Sequence, residues 1–166
     1  GEKIRLVLKA EDDSDNLSER MIFKEVTEFV PFKVMDYTVT PLLAKHMVHE
    51  KCFIYLITDP DGKTLLYAND TAWFPEETWK YLESCHLDAV SLDCTMVFEP
   101  DCLTHMGFES NIKAKNKLLA MGSADAHTIF VVNHFSHNGL ASHEEIETRA
   151  DKEGFLTAYD GFEITI

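Results

Sequence analysis

No two cysteines in this sequence stand at the C-x-x-C spacing. The four, Cys52, Cys85, Cys94 and Cys102, are scattered, so neither a zinc ribbon nor a thioredoxin-like redox motif has support. Cys52 and Cys94 lie in apolar runs and read as buried thiols, which fits a reducing, cytoplasmic location. Glycine is also scarce, with 7 in 166 residues. None of the glycine-dependent signatures occurs: no G-x-x-x-x-G-K-[ST] phosphate loop, no G-x-G-x-x-G, and no G-x-S-x-G nucleophile elbow. Apolar runs stop well short of the roughly 20 residues that span a bilayer. The start, Gly1 to Arg5, lacks the basic, apolar and small-residue layout of a signal peptide, and with Gly1 in place of methionine the native start is expected upstream. Positive charge is the last shortage. Lys and Arg number 15 against 29 Asp and Glu, a net charge of −14, and no basic cluster stands out. Such a chain repels polyanions, so neither nucleic acid nor a membrane surface is expected as a partner.

What remains is a globular composition, 45% hydrophobic, at a length that suits one domain. Ile4, Leu6 and Leu8 alternate with basic residues as a strand would, and Asp12 to Ser18 reads as an acidic loop. Met21 to Phe29 and Phe32 to Leu43 are rich in Val, Phe, Tyr and Thr and read as two strands. The runs Cys52–Thr58 and Thr64–Ala68 flank Asp59-Pro60-Asp61-Gly62-Lys63 and make a β-hairpin. Pro75 to Glu83 reads as a helix, with Pro75 and two glutamates at its start and Trp79 and Leu82 on its apolar stripe. Leu87 to Leu92 is a short buried strand. Glu109 to Met121 is an amphipathic helix showing Ile112, Leu118 and Leu119, stopped at Gly122. Thr128 to Val132 is another buried strand. Ser142 and Glu145 form a capping box ahead of a further helix. Phe155–Tyr159 and Phe162–Ile166 around Asp160-Gly161 read as a second hairpin. A strand meander followed by strands alternating with helices gives an α+β class, a mixed sheet with helices on at least one face.

The chemistry concentrates at strand ends. Of eight histidines, His46 and His49 follow the strand ending at Leu43, and His134 and His137 follow the strand ending at Val132. Asp70 follows Thr64–Ala68 in the same manner. A rigid sheet presents ligands at such ends, and imidazole with carboxylate suits zinc, iron or manganese. A lone histidine after a strand is more often a surface residue, and Asp70 alone is as easily a turn residue. The stretch Asn133-His134-Phe135-Ser136-His137-Asn138-Gly139 is harder to read as a plain loop, because its crowded imidazoles and amides need partners. His105 stands three residues after Cys102, which leaves a Cys–His ligand pair conceivable but disfavoured. His86, His127 and His143 carry no specific signal.

Taken in order, His46, the segment Leu66-Tyr67-Ala68-Asn69-Asp70-Thr71, the segment Asn133 to His137, and Ala158-Tyr159-Asp160-Gly161-Phe162-Glu163-Ile164 resemble the C-terminal part of a metallo-β-lactamase-fold hydrolase. The branch they are most similar to is the phosphoribosyl 1,2-cyclic phosphodiesterase-like proteins. The resemblance runs from about Val39 to the end. It implies an αββα sandwich holding two divalent metal ions, zinc or manganese, at one edge. By matching position, it implies His46 (with His49 as a rival), Asp70 and His134 as metal ligands, with Asp70 bridging. His137 and His105 resemble further active-site histidines that contact phosphate or protonate a leaving group, and Asn138 is a candidate substrate contact. A small anionic phosphodiester is the implied substrate.

One departure is large. The family's His-x-His-x-Asp-His signature, which supplies most ligands of one metal, has no match in this chain. The resemblance therefore implies that residues 1–166 are the C-terminal portion of a longer domain. It follows as an expectation that this chain alone binds metal weakly or not at all and is inactive. Half a sandwich also exposes an apolar sheet face, which favours a homo-oligomer.

Overall fold

The computed structural model describes residues 24–166. The expected strand at Ile4–Leu8 and the acidic loop at Asp12–Ser18 lie outside the described residues. Seven strands form one sheet in sequence order: β1 (Phe32–Val34), β2 (Tyr37–Ala44), β3 (Cys52–Thr58), β4 (Thr64–Ala68), β5 (Ala89–Asp93), β6 (Ile129–Asn133) and β7 (Leu156–Thr157). Among the described residues three helices, α1 (Glu76–Leu82), α2 (Phe108–Ala120) and α3 (His143–Glu153), connect β4 to β5, β6 and β7 in turn. β1 to β4 pair antiparallel and β4 to β7 pair parallel, so the sheet is mixed and the α+β expectation holds.

The β3–β4 hairpin forms where Asp-Gly predicts it. Asp59 Oδ1 accepts from the Asp61 and Lys63 amides at 2.9 and 2.8 Å, and Gly62 supplies the left-handed position at φ 89°. The capping box at Ser142 and Glu145 is complete. Helix α2 runs where expected, but its buried stripe is Phe108, Asn111, Ala114 and Leu118, while Leu119 faces solvent. Two strand expectations fail. Phe32 to Leu43 is not one strand but a tight hairpin, because Met35 takes φ 52° and turns the chain. Residues 24–29 form no strand. There Phe29 adopts φ 60° and its ring stacks on Tyr81 of α1, with centroids 5.5 Å apart. The tail corrects the third expectation. Asp160 and Gly161 do make a turn, closed by Phe162 N–H on Tyr159 O at 2.9 Å. No return strand follows it, because residues 156–157 pair in parallel with β6 instead.

The helices cover one sheet face. Leu42, Ile54, Leu56, Leu66, Val90, Leu92 and Val132 from the sheet pack with Trp79, Leu82, Phe108, Leu118 and Ile146 from the helices in one core. Side-chain alternation sends Val39, Leu43, Phe53, Tyr55, Ile57 and Leu65 to the other face, where they remain half-buried. Lys115 ties α2 to the end of α3. Its ammonium lies 5.1 and 4.7 Å from the Phe130 and Phe155 ring centres and donates to the carbonyls of Glu153 and Gly154, both at 2.7 Å. No helix among the described residues is long and apolar enough to cross a membrane.

A 3-10 turn at His137–Gly139 precedes α3 and rests on the β5–α2 loop. A Cβ on Gly139 would overlap Val97 Cγ2 and lie 2.9 Å from Val97 Cβ, while Val97 itself is held at φ 50°. Gly139→Ala is therefore expected to destabilise the fold by about 1–3 kcal/mol, the usual cost of overpacking, read as a lower urea midpoint at unchanged slope.

Candidate metal centre

Two successive antiparallel pairings leave β2 running in the same direction as β4, and β5 and β6 run parallel to β4. The C-terminal ends of all four strands therefore share one sheet edge. His46 lies two residues past β2, Asp70 two past β4, Asp93 ends β5, and His134 follows β6. The β2 and β4 exits are knitted together: Lys45 N–H donates to Thr71 Oγ1 at 3.1 Å, and Ala72 N–H to Lys45 O at 2.8 Å. Asp70 and His134 leave their strands through left-handed backbone, at φ 53° and 61°, a conformation that Asp and His tolerate better than most residues.

Asp93 organises this edge. Its side chain is fully buried and accepts the Thr71 amide at 3.1 Å, the Thr95 amide at 2.9 Å and His105 Nδ1 at 2.8 Å. Three imidazoles then obey one rule. His105 gives its Nδ1 hydrogen to Asp93. His46 gives its own to the Thr104 carbonyl at 3.3 Å, since a carbonyl can only accept. The Thr95 hydroxyl donates to the His134 carbonyl at 2.8 Å, so it must accept from His134 Nδ1, also at 2.8 Å. In the neutral form of each ring the lone pair is thereby left on Nε2.

The Nε2 atoms of His134 and His46 face Asp70. Its Oδ1 lies 3.2 Å from His134 Nε2 and 3.9 Å from His46 Nε2. Asp70, Asp93, His105 and His134 each offer a ligand atom within 4.8 Å of the others. The His46 ring stands edge-on to His105 with centroids 5.0 Å apart, and His105 stacks on His134 at 5.7 Å. Acceptors facing each other at 3.2 Å repel unless something positive lies between them. Two ligand atoms on one tetrahedral zinc sit about 3.4 Å apart, given bonds of roughly 2.0–2.1 Å. The donor set thus fits a divalent cation. Asp70 remains more than half exposed, at 57%, while Asp93 is at 0%, so the arrangement opens to solvent on one side and is closed on the other.

His46 lies outside the four-residue group, within reach of Asp70 alone at 3.9 Å, and the remaining expected positions fall further away. His49 is exposed on the turn after His46. His137 is exposed on the 3-10 turn, and its ring takes no part in the bonds just described. The Asn138 side chain lies outside the described residues. Cys102 bonds Thr104 Oγ1 at 3.3 Å and approaches the His105 carbonyl, not its ring, which removes the Cys–His pair. Cys94, buried beside Asp93, has its thiol pushed up to about 12, chiefly by burial, and Cys52 is half-buried. Sequence reasoning missed Asp93 and Thr95. The signal was present, since Asp93 follows a buried strand as Asp70 and His134 do.

No protein-family model matches the sequence, and no curated protein matches it either. Solved structures do. A diphosphatase of the PhnP family is similar over 99% of this chain and 55% of its own, with 19% identity and a TM-score of 0.66. The isothiocyanate hydrolase from Delia radicum gut bacteria matches over 93% and 64%, with 16% identity and a TM-score of 0.61. The metallo-β-lactamase-fold protein YhfI from Bacillus subtilis matches over 91% and 60%, with 17% identity and a TM-score of 0.57. The chain thus spans less than two thirds of the length of these structures. The mixed sheet, its helices on one face and these likenesses show that the described part of the chain has the metallo-β-lactamase fold.

Proposed function

We propose that this chain carries part of the active site of a metal-dependent hydrolase that cleaves a small phosphodiester or related phosphoric ester. The observation supporting this reading is the convergence of imidazole Nε2 atoms on Asp70 Oδ1, with His134 at 3.2 Å. Asp70, His134 and His46 would hold the cation, zinc or manganese. When bound, it would supply positive charge for phosphoryl oxygens and acidify a water. It would also reverse the local sign of a chain whose net charge is −14, so that an anion can approach.

The protein's own groups do the rest. Asp93 keeps the hydrogen of His105 on Nδ1 and fixes the ring, so that Nε2 is the atom able to give a proton to a departing oxygen or take one from water. Burial of Asp93 prevents solvent from competing for that bond. Beside His134 lies a cavity of about 360 Å³ lined by Asn133, Phe135, Ala158, Tyr159 and Asp160. Its aromatic walls and lone carboxylate suit the organic part of an ester better than a second phosphate. His137 and Asn138, on the turn just beyond, are candidate phosphate and substrate contacts.

The described donors are enough for one cation, and two are implied for a complete site. Binding by this chain is expected to be weak, and turnover absent. Metal analysis and calorimetry with Mn²⁺ or Zn²⁺ test this. The expected result is one loosely held cation per chain, lost in His134→Ala and in Asp70→Asn. Two tightly held cations with hydrolysis of bis(p-nitrophenyl) phosphate would overturn the weak-binding part, and unchanged binding in both variants would overturn the ligand assignment. The missing His-x-His-x-Asp-His segment favours a second reading, in which the fold serves binding or assembly without catalysis. A folded chain that takes up no cation at all would support it.

The cavity generates its own prediction. In the Mn²⁺-loaded chain, Tyr159→Ala is expected to weaken phenyl phosphate binding about three- to tenfold, the scale of one aromatic contact, with cation affinity unchanged.

A further inference from the structure

Asn69 and Asn133 immediately precede Asp70 and His134. They belong to the exits of β4 and β6, which are not neighbours, because β5 runs between them. The β4–β5 ladder ends at the Ala68–Leu92 pair, so Asn69 and Asp70 lie beyond its last rung. Where the ladder stops, side chains take over. Asn69 Nδ2 donates to Asn133 Oδ1 at 3.1 Å, passing over the end of β5 on the sheet face opposite the helices. Both ends are anchored. The second Asn69 amide hydrogen goes to the Tyr67 hydroxyl at 2.9 Å, and Asn133 Nδ2 donates to Ser91 Oγ at 2.9 Å. The bridge does not depend on which amide donates, since the Tyr67 and Ser91 hydroxyls can donate as well as accept and would serve the reversed pair equally.

Two features make this more than a surface bridge. Asn69 Oδ1 is buried without a hydrogen-bond partner, an unfavourable state that an apolar residue would remove. The residues that follow the two asparagines both have left-handed backbone, φ 53° and 61°. Strained positions persist where their surroundings over-determine them.

We propose that the Asn69–Asn133 amide bridge is a positioning device for the cation site. It spans β5, fixes the separation of the β4 and β6 exits, and so holds Asp70 Oδ1 and His134 Nε2 at 3.2 Å, close to the spacing of two ligands on one cation. The inference rests on the cation reading above and adds residues that do not themselves touch the ion.

The test is a double-mutant cycle of Asn69→Ala and Asn133→Ala in the 166-residue chain, reading Mn²⁺ affinity by calorimetry and the melting temperature in chelator. Each single variant is expected to lose about 10–100-fold in affinity, the range for groups that orient ligands. The double variant is expected to lose no more than the worse single one, because the pair acts as a unit. Lys115→Met loosens the end of α3 far from the bridge. It should lower the melting temperature without lowering affinity, which separates positioning from general destabilisation. Unchanged affinity in either asparagine variant, or fully additive losses, would overturn the proposal. A wild-type chain that binds no cation would defeat the cation reading, and the bridge is then judged on the metal-free protein by NMR hydrogen exchange. Slowed exchange of the Asn69 side-chain amide, abolished in Asn133→Ala together with faster exchange at the Thr71 amide, supports it. Free exchange of that side chain in the wild type overturns it.

Discussion

The candidate site depends on one carboxylate. Asp93 sits at the end of a central strand with no exposure to solvent, and three donors from two loops terminate on it: the amide of Thr71 after β4, and the amide of Thr95 and the His105 ring from the two ends of the β5–α2 loop. A buried carboxylate is tolerable only when its oxygens are filled, so each segment is drawn to it and none can drift without exposing an unpaired acceptor. Thr95 extends the same order to His134. The geometry around Asp70 is thus set from below, by a group that need not touch substrate.

The sheet makes this possible because it changes character halfway across. The antiparallel half brings β2 back into the direction of β4, and the parallel half continues it. Four chain exits then meet at one edge, while the helices, confined to one face, leave that edge open. The opposite face keeps half-buried Val, Leu, Ile and aromatic side chains.

Much of this was legible in the sequence where the cause is local. The Asp59–Lys63 turn, the Ser142 cap and the Pro75 helix start depend on residues within a few positions of one another, and they appear as read. The strand-end rule likewise placed His46, Asp70 and His134 at one edge. What was not legible depends on partners distant in sequence. The tail hairpin at Asp160-Gly161 has its turn, but the free edge of β6 captures Leu156 and Thr157 first. Phe32–Leu43 carries strand-forming residues throughout, and nothing in them announces the left-handed Met35. Asp93 carried the same strand-end signal as Asp70 and His134, but its three donors are brought together only by the fold. Leu119 matched a helical stripe that Asn111 occupies instead, because Asn111 Nδ2 donates to the Asp93 carbonyl at 2.9 Å.

The left-handed backbone at Asp70 and His134 sets stability against chemistry. Glycine enters that conformation without steric cost, so exchanging either residue for glycine would relieve local strain of order 1 kcal/mol while erasing a converging lone pair. At these two positions the sequence that folds best and the sequence that keeps the converging donors are different sequences. Random drift under selection for stability alone would move this chain toward a quieter, emptier version of itself.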